Sequence, residues 1–557
     1  MAMSAGAAAG SGSGRRVVVR DSTLLLSVVF LCCLPWVGGL GLYGDDYALL
    51  ASLHDATGSF RSLYDSLLPH GVATRPLQAV QLAALYWIFE LHPLGYHLTN
   101  TAILAATALL FHAVLRGFGF SRVIALVVPL LFALLPHYST ARFWIAAYQA
   151  NFSVFLYFLS LFADLRFVTR PGAVRWSWKA LGTAALVGSV LAYEVTAVLF
   201  LVNVLVLLYA TPGRRLRSWV PRPLLTAGTL LTNVLFLALA IAYKLSTTVR
   251  SDISGGFVWR ALRIVREAVP VHFGEYGLAL PVRVMQALRH YPDPVLFAVS
   301  LLVGLTVAAY LLRILRSTRL DPLRTWPAVL LIGAIVFAAG YGVTLMTYEI
   351  GFHTTGPNNR TANAAAIGVA FVFTAAIGWI SSSLRSERWR QRVFAGLIAV
   401  LAASCTLLTG TVARFWVDAV LQQELVIASV RQEFPRLASP GTVLLDGLCP
   451  FVGPAPVFVT GWDVTGMLRI VYRDRHLTGD VLKPNTEVTP AGIRTFLFDD
   501  VIYFYPFSDH LVVFHVGTGR TFPLTSLDAA HEYFTSDRPP PRPPCPPYTD
   551  GDGADVF

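Results

Sequence analysis

Charged residues are scarce in this chain. Of its 557 residues, 13% are Asp, Glu, Lys or Arg, whereas 55% are hydrophobic, and the mean hydropathy is +0.59. These values exclude an ordinary soluble domain and are typical of a protein with many membrane-spanning helices.

Lysine is the rarest charged residue. The net charge is +11, yet the only lysines are Lys179, Lys244 and Lys483, so arginine supplies nearly all of the positive charge. In a soluble protein this charge would suggest a nucleic-acid partner. Here the arginines cluster between apolar runs, as they do in the cytoplasmic loops of membrane proteins. We therefore expect a lipid bilayer, and no nucleic acid, as a partner.

Several common motifs are missing as well. No P-loop, G-x-S-x-G, C-x-x-C or H-E-x-x-H pattern serves a clear site, which argues against a nucleotide-driven pump.

Only five cysteines are present. Cys32, Cys33 and Cys405 fall in apolar runs and are expected to be inert. Cys449 and Cys545 could form one disulfide if the C-terminal region is extracytoplasmic.

Apolar runs recur along the first three quarters of the chain. We count eleven membrane crossings, or twelve membrane helices if the segment 77–91 is included; this segment could span, re-enter or lie in the interface. The long run 180–210 is flanked by basic loops on both sides and must turn near Tyr193-Glu194. The apolar runs are 24–42, 97–115, 123–136, 144–165, 181–209, 223–244, 294–312, 327–347, 363–383 and 393–412.

The pattern predicts an α-helical polytopic membrane protein with a small C-terminal α/β domain. We expect residues 1–20 to form a basic cytoplasmic tail before an uncleaved first helix, with a cleaved signal peptide as the alternative. The membrane domain covers 21–412, with outer loops at 43–75 and 246–293. Alternating short apolar runs at 413–538 predict the α/β domain on the extracytoplasmic side. The Pro-rich tail 539–557 is expected to be disordered.

Two adjacent carboxylates, Asp45 and Asp46, directly follow the first apolar run. Ionised carboxylates at the edge of the hydrocarbon are costly and usually mark a working site. Such a group can act as a general base on an acceptor hydroxyl. Its alternative role is to cap the helix that begins there.

Two outer arginines are candidates for binding an anion. Arg75 precedes Pro76 at a predicted helix start, and Arg360 follows a Gly-Pro turn before the span that starts near residue 362. The planar guanidinium fork suits a phosphate group. The alternatives are an ordinary helix start for Arg75 and a snorkelling anchor for Arg360. His353 lies nearby and is a weaker candidate for contact with substrate or metal.

Three further polar residues lie within or beside apolar segments. Glu194 requires a partner or a cavity and could contact substrate or metal. His97 and Asn100 lie on one face of a helix. For Asn100 we favour a hydrogen bond between helices, whereas both roles stay open for His97.

Together these residues resemble the GT-C superfamily of membrane glycosyltransferases, and in particular bacterial relatives of the protein O-mannosyltransferases. The resemblance covers about residues 20–410 in layout. It is carried by Asp45-Asp46 after the first span, Arg75-Pro76-Leu77, His97 with Asn100, Tyr193-Glu194 and the late outer Arg360.

The resemblance implies a role for each main site residue. Asp45 or Asp46 would be the catalytic base, and Arg360, with Arg75, would hold the phosphate of a polyprenyl-phosphate sugar. Some members of the superfamily bind a divalent metal and others do not, so a metal requirement is left open.

The implied reaction is an inverting transfer of the sugar to a cell-wall glycan, a glycolipid or a protein. It would take place on the outer face of the bacterial cytoplasmic membrane. The alternatives are a transporter or lipid flippase, and an inactive assembly protein with the same fold.

Overall fold

The structure is a computed structural model that describes residues 6–56, 58–70, 72–170, 172–201, 223–247, 256–346, 351–497 and 501–536. Across these residues the predicted fold class is confirmed. Long apolar helices pack together, and a small domain containing strands follows them. The Pro-rich tail 539–557 and Cys545 lie outside the described residues. Cys449 is disulfide-bonded, whereas Cys32, Cys33 and Cys405 are free.

The membrane domain is built from helices that follow one another through short turns. The helices up to residue 247 are α1 (Gly6–Cys33), α2 (Asp45–Asp55), α3 (Phe60–Leu67), α4 (Pro76–Phe89), α5 (Pro93–Gly117), α6 (Arg122–Leu134), α7 (Thr140–Phe143), α8 (Tyr148–Thr169), α9 (Val174–Ala192) and α10 (Pro223–Thr247). Those that follow are α11 (Phe257–Arg263), α12 (Leu280–His290), α13 (Pro294–Ser317), α14 (Trp326–Gly340), α15 (Asn363–Ser382) and α16 (Glu387–Glu433). Two π-helical stretches, Ile264–Ala268 and Pro270–Leu278, lie between α11 and α12, so most of the predicted outer loop 246–293 is helical.

By length and hydropathy, seven helices in the described part of the chain can cross a membrane, or eight if one bent pair counts as a span. The sequence predicted eleven or twelve. The segment 77–91, which we left open, and the predicted run 123–136 are the apolar helices α4 and α6, which have 14 and 13 residues, fewer than the roughly 20 that a bilayer requires. Helix α6 is buried on nearly every face, so it belongs to the protein core.

The first helix ends earlier than the predicted run 24–42. Helix α1 stops at Cys33, and the 3₁₀ turn Val37–Gly39 follows. Pro35 explains the break, because proline cannot continue a helix without losing a hydrogen bond. The chain from residue 34 to Gly44 therefore forms a compact loop that leads to Asp45.

The turn predicted near Tyr193-Glu194 is confirmed. Helix α9 ends at Ala192, Tyr193 is extended, and the chain resumes as the helical segment Glu194–Leu201 at an angle of 120° to α9. The bend brings Glu194 to the end of α9, where Arg75, directly before α4, and Lys244 of α10 reach it.

The C-terminal domain is an α/β unit on the end of α16. Its four-stranded sheet has the order β4-β1-β8-β9; β1 is parallel to β4 and β8, and β9 is antiparallel to β8. The strands are β1 (Thr442–Asp446), β2 (Phe451–Val452), β3 (Ala455–Pro456), β4 (Thr478–Val481), β5 (Glu487–Thr489), β6 (Gly492–Leu497), β7 (Val501–Pro506), β8 (Leu511–His515) and β9 (Arg520–Pro523). Its helices are α17 (Gly461–Tyr472) and α18 (Leu527–Thr535).

A single helix joins the two parts of the protein. Helix α16 has 47 residues and runs without interruption through residue 412, which we predicted to be the end of the membrane domain. At 1.5 Å per residue it is about 70 Å long, more than twice the hydrocarbon thickness of a bilayer. One apolar core contains Leu50 of α2, Trp416 of α16 and Val464 of α17, so the C-terminal domain packs directly against the start of the membrane domain.

Candidate functional site

The candidate site begins at the first residue of α2. Gly44 precedes the helix with φ of +47°, a conformation that favours glycine, and the Trp144 ring lies where a side chain at this position would point. Asp45 and Asp46 then occupy the first turn, where the helix dipole favours carboxylates. The turn thus places two acidic residues side by side but aims them in different directions.

Asp46 is buried and fully engaged. One carboxylate oxygen accepts from the backbone N–H of Ala146 at 2.7 Å, and the other accepts from the N–H of Tyr43 at 3.0 Å. Burial raises the pKa of Asp46 well above its usual value, although these N–H donors oppose the rise. Asp46 therefore ties the start of α2 to the segment around residue 146, and its burial keeps the carboxylate away from an acceptor.

Replacing Asp46 by Ala should lower stability. The N–H groups of Tyr43 and Ala146 would lose their acceptor, at a cost of about 1–3 kcal/mol for each buried group. We expect a lower melting temperature and a lower yield of folded protein in detergent. Asp45→Ala is the matched control in the same turn. Equal melting temperatures for the two variants would contradict the structural role of Asp46.

Asp45 has a different environment. Its side chain is partly buried and makes no hydrogen bond or ion pair with any residue that the structure describes. Burial raises the pKa of Asp45 above its usual value, while the nearby Arg360 guanidinium lowers it. A carboxylate that is shielded from water, faces a cation and has free oxygens can accept a proton from a bound hydroxyl group.

Arg360 is held beside this carboxylate by a well-anchored turn. The guanidinium lies 4.7 Å from the centre of the Trp144 ring, and Trp144 in turn donates its indole N–H to the carbonyl of Tyr43 at 2.8 Å. The neighbouring Asn359 donates to the Thr354 carbonyl at 2.7 Å and accepts from the N–H of Thr140 at 3.3 Å. Arg360 is thus positioned by the same segment that binds Asp46.

That segment, residues 135–148, was not singled out from the sequence. It consists of the 3₁₀ turn Pro136–Tyr138, the short helix α7 and the 3₁₀ turn Ile145–Ala147, and it is buried throughout. It connects the Asp45 loop to the Arg360 turn through Trp144, Ala146 and Thr140. Trp144 is the site residue that sequence reasoning missed. Its only local signal is an aromatic residue close to Arg142, at the start of the apolar run 144–165.

Arg75 and Glu194 form a second charged cluster with Lys244. An Arg75 guanidinium nitrogen lies 3.0 Å from a Glu194 oxygen, and Lys244 donates to the other oxygen. The Arg75 guanidinium also lies 4.5 Å from the centre of the Tyr193 ring. The cluster carries two positive charges against one negative charge, so it keeps a net attraction for an anion. Arg75, which we predicted as a candidate phosphate ligand, is thus paired with Glu194 in the described structure.

His97 supports the loop before Asp45. Its Nε2 lies 3.0 Å from the Gly41 carbonyl, and its Nδ1 contacts the Tyr148 hydroxyl. Because a carbonyl can only accept, Nε2 carries the proton and Nδ1 accepts from Tyr148. The ring is buried, which favours a positioning role over direct contact with substrate.

Asn100 lies in a chain of amide hydrogen bonds, in line with the role we favoured for it. It donates to the Ala141 carbonyl at 2.9 Å and accepts from Asn151 at 3.0 Å, and Asn151 accepts from Asn363 at 2.7 Å. These bonds join α5, α8 and α15 beneath the site.

His353 is partly buried in the segment that leads to the Arg360 turn. Among the described residues, no group of three or more His, Cys, Asp or Glu side chains could hold a metal ion.

Comparison with known proteins gives only distant matches. No protein-family model and no curated protein matches the chain. ArnT from Cupriavidus metallidurans bound to undecaprenyl phosphate aligns with 83% of the chain and 89% of its own length, at 16% identity and a TM-score of 0.36. The apo state of that protein gives the same coverage at 15% identity and a TM-score of 0.33.

A third solved structure is an Archaeoglobus fulgidus oligosaccharyltransferase tethered to an acceptor peptide. It aligns with 83% of the chain and 63% of its own length, at 12% identity and a TM-score of 0.38. Matches at this distance assign no role to any residue. The functional proposal therefore depends on the geometry of this chain.

Proposed function

We propose that this protein is a membrane glycosyltransferase of the GT-C type. It transfers a sugar from a polyprenyl-phosphate donor to an extracytoplasmic glycan, glycolipid or protein. The observation that carries the proposal is the free carboxylate of Asp45 beside the Arg360 guanidinium. A base for the acceptor and a cation for a phosphate are the two groups that this reaction requires.

In the proposed reaction, the acceptor hydroxyl loses its proton to Asp45 as its oxygen attacks the anomeric carbon. The new C–O bond forms while the bond between that carbon and the phosphate oxygen breaks, and the polyprenyl phosphate leaves with the electron pair. Arg360 stabilises the developing negative charge on the leaving group. This single displacement inverts the anomeric carbon, and it needs no ATP because the sugar arrives already activated.

An apolar groove supports a donor with a long lipid tail. A cavity of about 710 Å³ lies between α4, α9 and α10, lined by residues that include Leu77, Ala184 and Phe236. Along α9 it extends from Trp176 to Leu191, which is about 22 Å at 1.5 Å per residue. Arg75 precedes Leu77 by two residues, so the charged cluster of Arg75, Glu194 and Lys244 lies at one end of the groove. We infer that the tail occupies the groove and that this cluster attracts the donor phosphate.

Filling the groove should selectively weaken binding of long donors. We expect Ala184→Trp to raise KM for a long-chain polyprenyl-phosphate sugar by about tenfold or more, equivalent to about 1.4 kcal/mol of binding. KM for a donor with only two or three isoprene units should change much less. Leu181→Trp is the matched control, because Leu181 is exposed on the same helix but does not line the groove. The same KM change for long and short donors would contradict the assignment of the groove.

The arginine-rich loops support an orientation in the bacterial cytoplasmic membrane with the site on the outer face. Arg116, Arg122, Arg313 and Arg324 lie at helix ends opposite to the Asp45 turn in the predicted topology. In that orientation the C-terminal domain is also extracytoplasmic, where an envelope acceptor is available.

A transfer assay tests the proposed function even when the identity of the sugar is not known. Lipids extracted from cells grown on radiolabelled glucose contain every polyprenyl-phosphate sugar that the cells make, and defined mannose and arabinose donors can be run beside them. We expect the purified protein in liposomes to move label from the lipid fraction to an envelope extract. If all of the label stays with the lipid while the extract retains its acceptors, the proposal is wrong.

A further inference from the structure

Helix α2, which carries Asp45, lies between two supports. On one side, Asp46 binds the buried segment at Ala146. On the other side, α17 of the C-terminal domain packs against it, and Gly466 lies directly on the backbone of Tyr47 and Ala48. A Cβ atom at position 466 would overlap these backbone atoms, so the close approach of the two helices requires glycine.

The side chain of Tyr47 is enclosed by C-terminal residues. Its ring lies 5.5 Å from that of Phe458, and its hydroxyl donates to the Gln423 side chain at 3.4 Å. Gln423 donates in turn to the Val457 carbonyl at 2.8 Å. Tyr47 is therefore bound by α16 and by the chain that leads into α17, although it lies only two residues after Asp45.

The contacts before α2 follow the same pattern. The Tyr43 hydroxyl donates to the Trp416 carbonyl of α16 at 2.8 Å, and the two rings meet edge to face at 4.7 Å. The start of α17 is itself rigidly built, since the buried Asp463 accepts from the N–H of Thr460 at 2.9 Å and from that of Val459 at 2.7 Å. These hydrogen bonds fix the start of α17, the helix against which α2 packs.

We infer that α17 is a brace that positions the catalytic carboxylate, and that Gly466 is the positioning residue of this brace. The inference rests on the proposed function. The Arg360 guanidinium stacks on Trp144 of the membrane domain, whereas α2, which carries Asp45, contacts both domains. The separation of Asp45 from Arg360 therefore depends both on the hydrogen bond between Asp46 and Ala146 and on the packing of α17 on α2, which makes the C-terminal domain part of the active site.

A single added methyl group tests the brace. In Gly466→Ala, the new Cβ must push α17 and α2 apart, because it meets backbone atoms that cannot rotate away. A displacement of about 1 Å at a catalytic group can cost up to about 10²-fold. We expect kcat to fall at least tenfold, with KM for the donor unchanged because the lipid groove is not disturbed.

The matched control is Gly396→Ala. Gly396 lies inside α16, and a Cβ there would meet nothing within 4 Å. Both substitutions replace a helical glycine by alanine, so they differ only in what the methyl group contacts. We expect wild-type kcat from Gly396→Ala.

Two readouts separate positioning from a general loss of folded protein. Hydrogen exchange of the amides of residues 45–55 should be faster in Gly466→Ala, while exchange in α5 and α8 stays unchanged. The acid limb of the kcat profile should move to higher pH, because moving Asp45 away from Arg360 removes the influence that lowers its pKa. If Gly466→Ala does not fold, Gln423→Leu, which removes the link between Tyr47 and Val457, provides the same test.

Different results would overturn the brace and the proposed function. Wild-type kcat, exchange and pH profile in Gly466→Ala would overturn the brace, whatever the reaction. Full transfer by Asp45→Asn in the same assay would overturn the proposed function, while the exchange result would still report whether α17 supports α2. Loss of kcat in Gly466→Ala together with faster exchange of α2 supports the brace.

Discussion

Replacing Asp45 by Asn is expected to lower kcat by about 10²–10⁴-fold, the usual contribution of a positioned general base. Asparagine has nearly the same shape as aspartate but cannot accept the acceptor's proton. The melting temperature should stay close to that of wild type, since Asp45 makes no hydrogen bond within the described residues. Single-turnover transfer with saturating donor measures the effect directly.

The matched control is Asp46→Asn, in the adjacent position. Asp46 uses both oxygens to accept from backbone N–H groups, so its amide variant should lose stability. The fraction that folds should keep most of its kcat. If Asp46→Asn instead removes activity from folded protein while Asp45→Asn retains it, the assignment of the two carboxylates is reversed.

Replacing Arg360 by Ala should have the second largest effect. The guanidinium is proposed to stabilise the leaving phosphate, and loss of one such donor costs about 10²–10³-fold in kcat. Arg360→Lys should recover only part of the rate, because lysine keeps the charge but loses both the planar fork and the stacking on Trp144.

We also expect Arg360→Ala to change the pH dependence of the transfer rate. Burial raises the pKa of Asp45, and the Arg360 guanidinium lowers it. Removing Arg360 therefore raises the pKa of Asp45. Because the base acts only when ionised, the acid limb of the rate profile should move to higher pH. Arg414→Ala is the control, since Arg414 is an exposed arginine of α16, and an unchanged acid limb in Arg360→Ala would contradict the pairing.

Local sequence features were sufficient to predict the membrane class and the C-terminal α/β domain, and they also indicated the turn at Asp45 as a candidate site. Each has a signal within a few residues: a long apolar run, alternating strands, or a carboxylate at the edge of the hydrocarbon. The bend at Tyr193-Glu194 could be predicted for the same reason, because a run with basic loops on both sides has to turn.

Contacts between distant parts of the chain determine the features that could not be predicted from local sequence. Asp45 and Asp46 are adjacent, and what distinguishes the engaged carboxylate is that Asp46 accepts from Ala146, 100 positions away, as well as from the nearby Tyr43. Arg75 finds its partner Glu194 across 119 positions. The contact of Gly466 with α2 is likewise invisible along the chain, because a helical glycine alone gives no indication of a close approach.

The central claim is that Asp45 drives transfer from a polyprenyl-phosphate donor. The most direct measurement is the amount of free polyprenyl phosphate released for each sugar transferred, in liposomes with an envelope extract, for wild type and Asp45→Asn. We expect one lipid phosphate per sugar from wild type, released only when acceptor is present, and almost none from Asp45→Asn. Release by both proteins at the same rate, or transfer without release of lipid phosphate, would contradict this account.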